Sequence, residues 1–136
     1  MSNEVGAADT QPLRLIGYWR GEQVPQWPNV LDFVDAEWDE DDRHATWQYV
    51  LQGTVARVWM GWSYCRICGV QNGDADLTDG FYMWPEGLAH YVHDHKVRLP
   101  DEFVRHARSR LDALEAAPTD SSWWQSQSPR GSDPSC

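Results

Sequence analysis

Cys65-Arg66-Ile67-Cys68-Gly69 places two thiols two residues apart, and residues 90–95 hold three histidines, His90, His93 and His95. Two cysteines at that spacing can bring both thiolates onto one ion when the backbone turns tightly between them. A glycine just after the second relieves the positive-φ demand of such a turn. Residues 69–89 read as turn, strand and helix start. A Cys-x2-Cys turn therefore faces a helix that carries histidines, which is the plan of a ββα or treble-clef-like zinc finger. This pairing constrains the chain more than any other feature, because the turn and the helix must fold against each other.

Four residues separate His90 from His95, within the spacing that zinc fingers use. On an ideal helix positions i and i+5 diverge by about 140°, so the helix must tighten or end near His95. His93 lies closer to His90, at i+3. His95, however, falls on the apolar face with Leu88 and Tyr91, where a neutral imidazole bound to metal is more comfortable than a charged one. The predicted ligands of one structural Zn2+ are Cys65, Cys68, His90 and His95, with His93 as substitute or neighbour. The bland alternative is two core thiols and a solvent-facing histidine cluster. A thioredoxin-type redox pair would open a helix after a strand, and here the context is a hairpin.

The rest of the chain reads as one α+β domain over 12–117, between disordered segments at 1–11 and 118–136. Residues 13–19 and 54–60 are rich in β-formers, and residues 81–84 form another short strand. About four helices are predicted to flank this hairpin and zinc-knuckle core, over 29–38, 41–52, 85–95 and 100–116. Leu31, Val34 and Trp38 would form the stripe of the first, and His44, Trp47 and Leu51 that of the second. In the last, Phe103, Val104, Ala107, Leu111 and Leu114 recur at helical spacing, and Pro118 ends it. Trp123-Trp124 interrupts the polar tail, and Cys136 reads as an exposed bystander thiol.

The formal net charge of −10 argues against general nucleic-acid binding, which needs clustered Lys and Arg. Acidic residues concentrate at 32–42, and bases follow the histidines as Lys96, Arg98, Arg105, Arg108 and Arg110. Solvated helix faces would explain both runs; alternatively, the acidic run is a dock for a basic partner. The chain has nine tryptophans, more than one small core absorbs, so some are expected on a binding surface. No signal peptide is visible and no run approaches a membrane span, which predicts a cytoplasmic protein with reduced thiols.

Sequence motifs of metalloproteases, serine hydrolases, phosphate-binding loops and zinc deaminases are absent. An open, catalytic zinc would need a nearby base, and Asp79, Glu86 and Asp94 are the candidates by sequence proximity. Each also has a plainer role: Asp79-Gly80 as a turn, Glu86 as a first-turn helix acid, Asp94 as a surface residue.

The segment CRICGVQNGDADLTDGFYMWPEGLAHYVHDHKVRLPDEFV, residues 65–104, resembles a family of small bacterial proteins of uncharacterised activity. Its pattern combines a CR-x-CG knuckle, an NG turn, a WPEGLAHYV segment, a later histidine and a VRLP exit. IGYWR at 16–20 and Trp27-Pro28 extend the likeness, which spans most of 13–108. The resemblance implies Cys65, Cys68, His90 and His95 as the matching ligand positions, with His93 at a variable one, and carries no activity with it. The leading expectation is a non-enzymatic, zinc-stapled module that binds another protein through the acidic 32–42 face or exposed tryptophan. The alternatives are an acidic immunity- or antitoxin-like protein that neutralises a basic toxin, and an enzyme with an open zinc site. Nucleic-acid binding through Lys96 to Arg110 ranks below the binding roles on charge.

Overall fold

The structure is a computed structural model and describes residues 11–129. The first ten residues and residues 130–136, with Cys136, lie outside the described residues. The architecture is α+β: a four-stranded mixed sheet with helices packed against it. The strands are β1 (Arg14–Leu15), β2 (Thr54–Val58), β3 (Ala75–Thr78) and β4 (Tyr82–Pro85), and their spatial order is β1-β4-β3-β2. Antiparallel pairing joins β2 to β3 and β3 to β4, and β1 lies parallel to β4 along the edge.

Four helices are present among the described residues: α1 (Glu40–Leu51), α2 (Leu88–His95), α3 (Asp101–Ala116) and the short α4 (Ser122–Ser126). Asp39 caps α1 by accepting the Asp42 N–H at 3.0 Å, and Glu40, Asp41 and Asp42 place negative charge at the positive end of its dipole. Pro100 precedes α3, whose first turn carries Asp101 and Glu102. Helix α1 packs against both α2 and α3.

The core forms where β3 and β4 meet these helices. Trp84, Leu88, Val92, Leu99, Val50 and Phe103 are buried there, and the Trp84 indole donates to the Val50 carbonyl at 3.0 Å. A buried tryptophan usually finds such an acceptor for its N–H.

Several predicted elements differ from those observed. The helix expected over 29–38 is only a 3-10 turn at Val30–Phe33, capped by Asn29. Val34 is extended and bridges Val97, and Asp35 accepts the Glu37 N–H in a local turn. Tertiary pairing and side-chain-to-backbone bonding replace the helical ladder there. Helix α1 buries Thr46, Tyr49 and Val50 rather than the stripe of His44, Trp47 and Leu51. Pro85 closes β4 instead of opening a helix, and α2 begins three residues later. Strand β3 has no counterpart among the predicted elements.

Candidate metal centre

The Cys65–Gly69 segment is a tight turn at the end of a short ladder. Tyr64 bridges Gln71, the Cys65 N–H reaches the Val70 carbonyl at 2.9 Å, and the Gly69 N–H reaches the Cys65 carbonyl at 2.9 Å. Gly69 takes φ +79°, the conformation that favours glycine. Inside the turn the N–H groups of Ile67 and Cys68 both point at Cys65 Sγ, at 3.4 and 3.5 Å. Donors arranged in this way compensate the negative charge of a metal-bound thiolate.

Hydrogen bonds through three side chains, Asn72, Glu86 and Tyr91, hold this turn against the start of helix α2. Asn72 Nδ2 donates to the Gly87 carbonyl at 3.2 Å, and Glu86 Oε1 accepts the N–H groups of Asp74 and Ala75 at 2.8 and 3.0 Å. From below, the Tyr91 hydroxyl accepts the Arg66 N–H at 2.7 Å and bonds the Cys65 side chain. Burial pushes the Tyr91 phenol up to about 12; the Arg66 N–H opposes that rise and Cys65 adds to it, so the ring stays protonated at neutral pH.

On α2 the two outer histidines converge because the helix stops. His95 is its last residue, and Lys96 adopts a left-handed conformation at φ 51°, its N–H returning to the Tyr91 carbonyl. The His90 and His95 rings consequently lie 4.9 Å apart, edge to face. His90 Nε2 approaches Cys68 Sγ to 3.4 Å, and its Nδ1 lies 3.0 Å from Asp94 Oδ2. One potential ligand atom from each of Cys65, Cys68, His90 and His95 falls within 4.8 Å of the others, a cluster compatible with a metal ion.

His95 supports that arrangement independently. Its Nε2 is buried and has no hydrogen-bond partner among the described residues. Burial, and then the neighbouring His90, push its pKa below the ordinary histidine value, towards the neutral ring that coordination requires. His93 lies outside the cluster: its ring packs 4.9 Å from Trp47, and its Nδ1 lies 2.6 Å from Asp94 Oδ1.

The three carboxylates considered as catalytic bases separate clearly. Asp94 adjoins the cluster, bonded to His90. Glu86 is occupied in clamping the turn. Asp79 accepts from the backbone N–H groups of Phe81 and Tyr82, from the Tyr49 hydroxyl and from His106 Nε2. His106 had no sequence signal of its own, since it sits in α3 as a lone histidine.

No family model, curated protein or solved structure matches this chain.

The acidic run at 32–42 meets the chain's own bases. Asp35 pairs with Arg98 at 3.0 Å and Asp42 with Arg108 at 2.6 Å, while Asp39 is spent on the α1 cap. Of the tryptophans, Trp19, Trp38 and Trp84 are buried, and Trp59, Trp62, Trp123 and Trp124 are more than half exposed. No helix of the described residues is long and apolar enough to cross a membrane.

Proposed function

We propose that the chain is a zinc-stapled binding module in which Cys65, Cys68, His90 and His95 hold one structural Zn2+. The observation that carries this reading is the convergence of those four donors. Tetrahedral zinc with bonds of about 2.0–2.3 Å sets its ligand atoms about 3.3–3.8 Å apart. The 3.4 Å approach of Cys68 to His90 falls within that range, and a spread of at most 4.8 Å needs only a small contraction. Two thiolates and two neutral imidazoles would leave the dication with no net charge, which suits the buried Cys65.

Four protein donors would fill the coordination sphere, so the site is read as structural rather than catalytic. The order of cysteine turn, strands and histidine helix is that of a ββα or treble-clef-like finger, and the same four positions match the CR-x-CG family that the sequence resembles. A small module with spare exposed tryptophan serves recognition of a partner better than chemistry. The acidic face is a weaker dock than its composition suggests, because Asp35 and Asp42 are already paired.

Zinc bound in this way would put on the order of 10 kcal/mol of apparent binding energy largely into folding. Stripping with a strong chelator is expected to collapse the near-ultraviolet circular dichroism, and added Zn2+, but not Mg2+, to restore it. A metal-free sample that keeps the native spectrum would overturn the structural role.

A further inference from the structure

Beyond β2 the chain forms a second feature, a cleft that adjoins the cysteine turn and shares Arg66 and Tyr91 with it. The cleft, of about 430 Å³, is walled by Tyr18, Trp27, Trp59, Trp62 and Tyr64, with Asp76 among its lining residues. Trp59, Trp62 and Tyr64 are 53%, 55% and 55% exposed, so the fold places three large rings beside solvent within one loop. Such a patch marks a binding surface more often than wasted core material.

The loop is held rather than loose. The Trp59 N–H donates to the Asp74 carbonyl at 2.7 Å, the Ser63 N–H to the Gly73 carbonyl at 2.9 Å, and the Asn72 N–H to the Ser63 carbonyl at 2.8 Å. Gly61, at φ +107°, makes the bend between Trp59 and Trp62. The Tyr18 and Trp27 rings, also in the lining, lie 6.1 Å apart. The rings are thus positioned before any ligand arrives, which lowers the ordering cost of binding.

Asp76 decides the character of the cleft. Its residue is 5% exposed, and it accepts from the Tyr18 hydroxyl at 2.9 Å and from the Trp59 indole N–H at 2.7 Å. Both donors are neutral, and no Lys or Arg among the described residues comes within ion-pair distance of it. Arg57, its register partner on β2, instead lies with its guanidinium 5.8 Å from the Trp59 ring and is not part of the lining. Asp74 adds a second carboxylate to the lining. Arg66 is the one cation there, folded so closely over Gly21 that a Cβ at that glycine would sit 2.7 Å from its guanidinium.

We infer that this cleft binds an alkylated ammonium group, a quaternary or methylated amine carried either by a small molecule or by a lysine side chain. Arg57 already lies over the Trp59 ring, and the remaining rings with the two carboxylates give the cleft an electronegative lining that favours a cation. A bare ammonium is less well served: it is strongly hydrated, and a lining made mostly of aromatic rings returns few of the hydrogen bonds it would give up. Methyl groups remove the need for those hydrogen bonds and pack against the rings, while the charge remains. This inference stands on the cleft itself, and leans on the zinc reading only because the cysteine turn supplies Tyr64 and Arg66.

Tryptophan fluorescence and calorimetric titrations of the metal-replete protein test it, with zinc content measured on the same sample. The probes are choline, its neutral isostere 3,3-dimethylbutanol, and a short peptide bearing either trimethyllysine or lysine. Saturable binding of choline or the trimethyllysine peptide is expected, at least about tenfold tighter than the isostere or the lysine peptide. A peptide that outcompetes choline points to a lysine source, and choline that outcompetes the peptide to a free small molecule. Trp62→Ala, at an exposed loop position, should remove binding and leave the fold's circular dichroism unchanged; Asp76→Asn should weaken it. The inference is overturned if neither cation binds saturably, if the neutral isostere binds as well, or if Trp62→Ala binds normally. Cation binding by a folded sample free of zinc would overturn the zinc reading alone.

Discussion

Asp94 Oδ2 lies 3.0 Å from His90 Nδ1, one helical turn back along α2, while His90 Nε2 faces Cys68 Sγ at 3.4 Å. A carboxylate on the far nitrogen fixes the ring's orientation and tautomer and raises its basicity as a ligand. Asp94 also holds His93 Nδ1 at 2.6 Å, so one side chain orients the histidine that enters the cluster and the one that stays outside.

Asp94→Ala should therefore keep one metal per chain but bind it about 10–100-fold more weakly. Competition against a chromophoric chelator measures this. Unchanged affinity would reduce Asp94 to a surface residue.

Gly87 couples the cysteine turn to the histidine helix. A Cβ there would fall 2.3 Å from Asn72 Cγ and 2.5 Å from the Asn72 backbone oxygen, and backbone cannot swing aside as a side chain can. Gly87→Ala is predicted to cost about 1–3 kcal/mol of stability, typical of overpacking, and to weaken metal binding by levering the turn off α2. Urea titration with and without zinc reads both effects. A stable variant with normal affinity would show that the turn is positioned by other contacts.

Asp79 ties the sheet to α1 and α3 through Tyr49 and His106, with its side chain 8% exposed. Burial acts to raise its pKa, but hydrogen bonds from Tyr49, the Tyr82 N–H, His106 and the Phe81 N–H prevail and hold it below the ordinary carboxylate value. A carboxyl with a depressed folded pKa contributes stability that is present above its unfolded pKa of about 4 and is lost as pH falls through the folded value. Asp79→Asn should lower stability at neutral pH by about 1–3 kcal/mol. The gap to wild type should narrow as acid protonates Asp79. Denaturation curves at a series of pH values test the sign; a gap that widens on acidification would contradict it.

How far the sequence speaks for the structure varies with what sets each element. The convergence of Cys65, Cys68, His90 and His95 was legible because Cys-x2-Cys-Gly dictates a local turn and because bringing His90 and His95 together demands a helix end, which Lys96 supplies. Helix α3 was legible from Phe103, Val104 and Ala107, all buried as their spacing requires. The 29–38 helix failed because Leu31 and Val34 are largely exposed, and the segment is instead set by distant pairing with Val97. Strand β3 was hidden by its composition: Ala75-Asp76-Leu77-Thr78 has one strongly apolar residue, and its inward Asp76 is tolerated only through Tyr18 and Trp59. No local pattern announces a buried carboxylate whose partners lie 58 and 17 residues away.

Native mass spectrometry with elemental analysis on wild type and three variants tests the proposed ligand set. One zinc per chain is predicted, lost in Cys65→Ser and in His95→Ala and retained in His93→Ala. A chain without zinc, or one that keeps it after His95→Ala, would contradict the ligand set and the stapled module built on it.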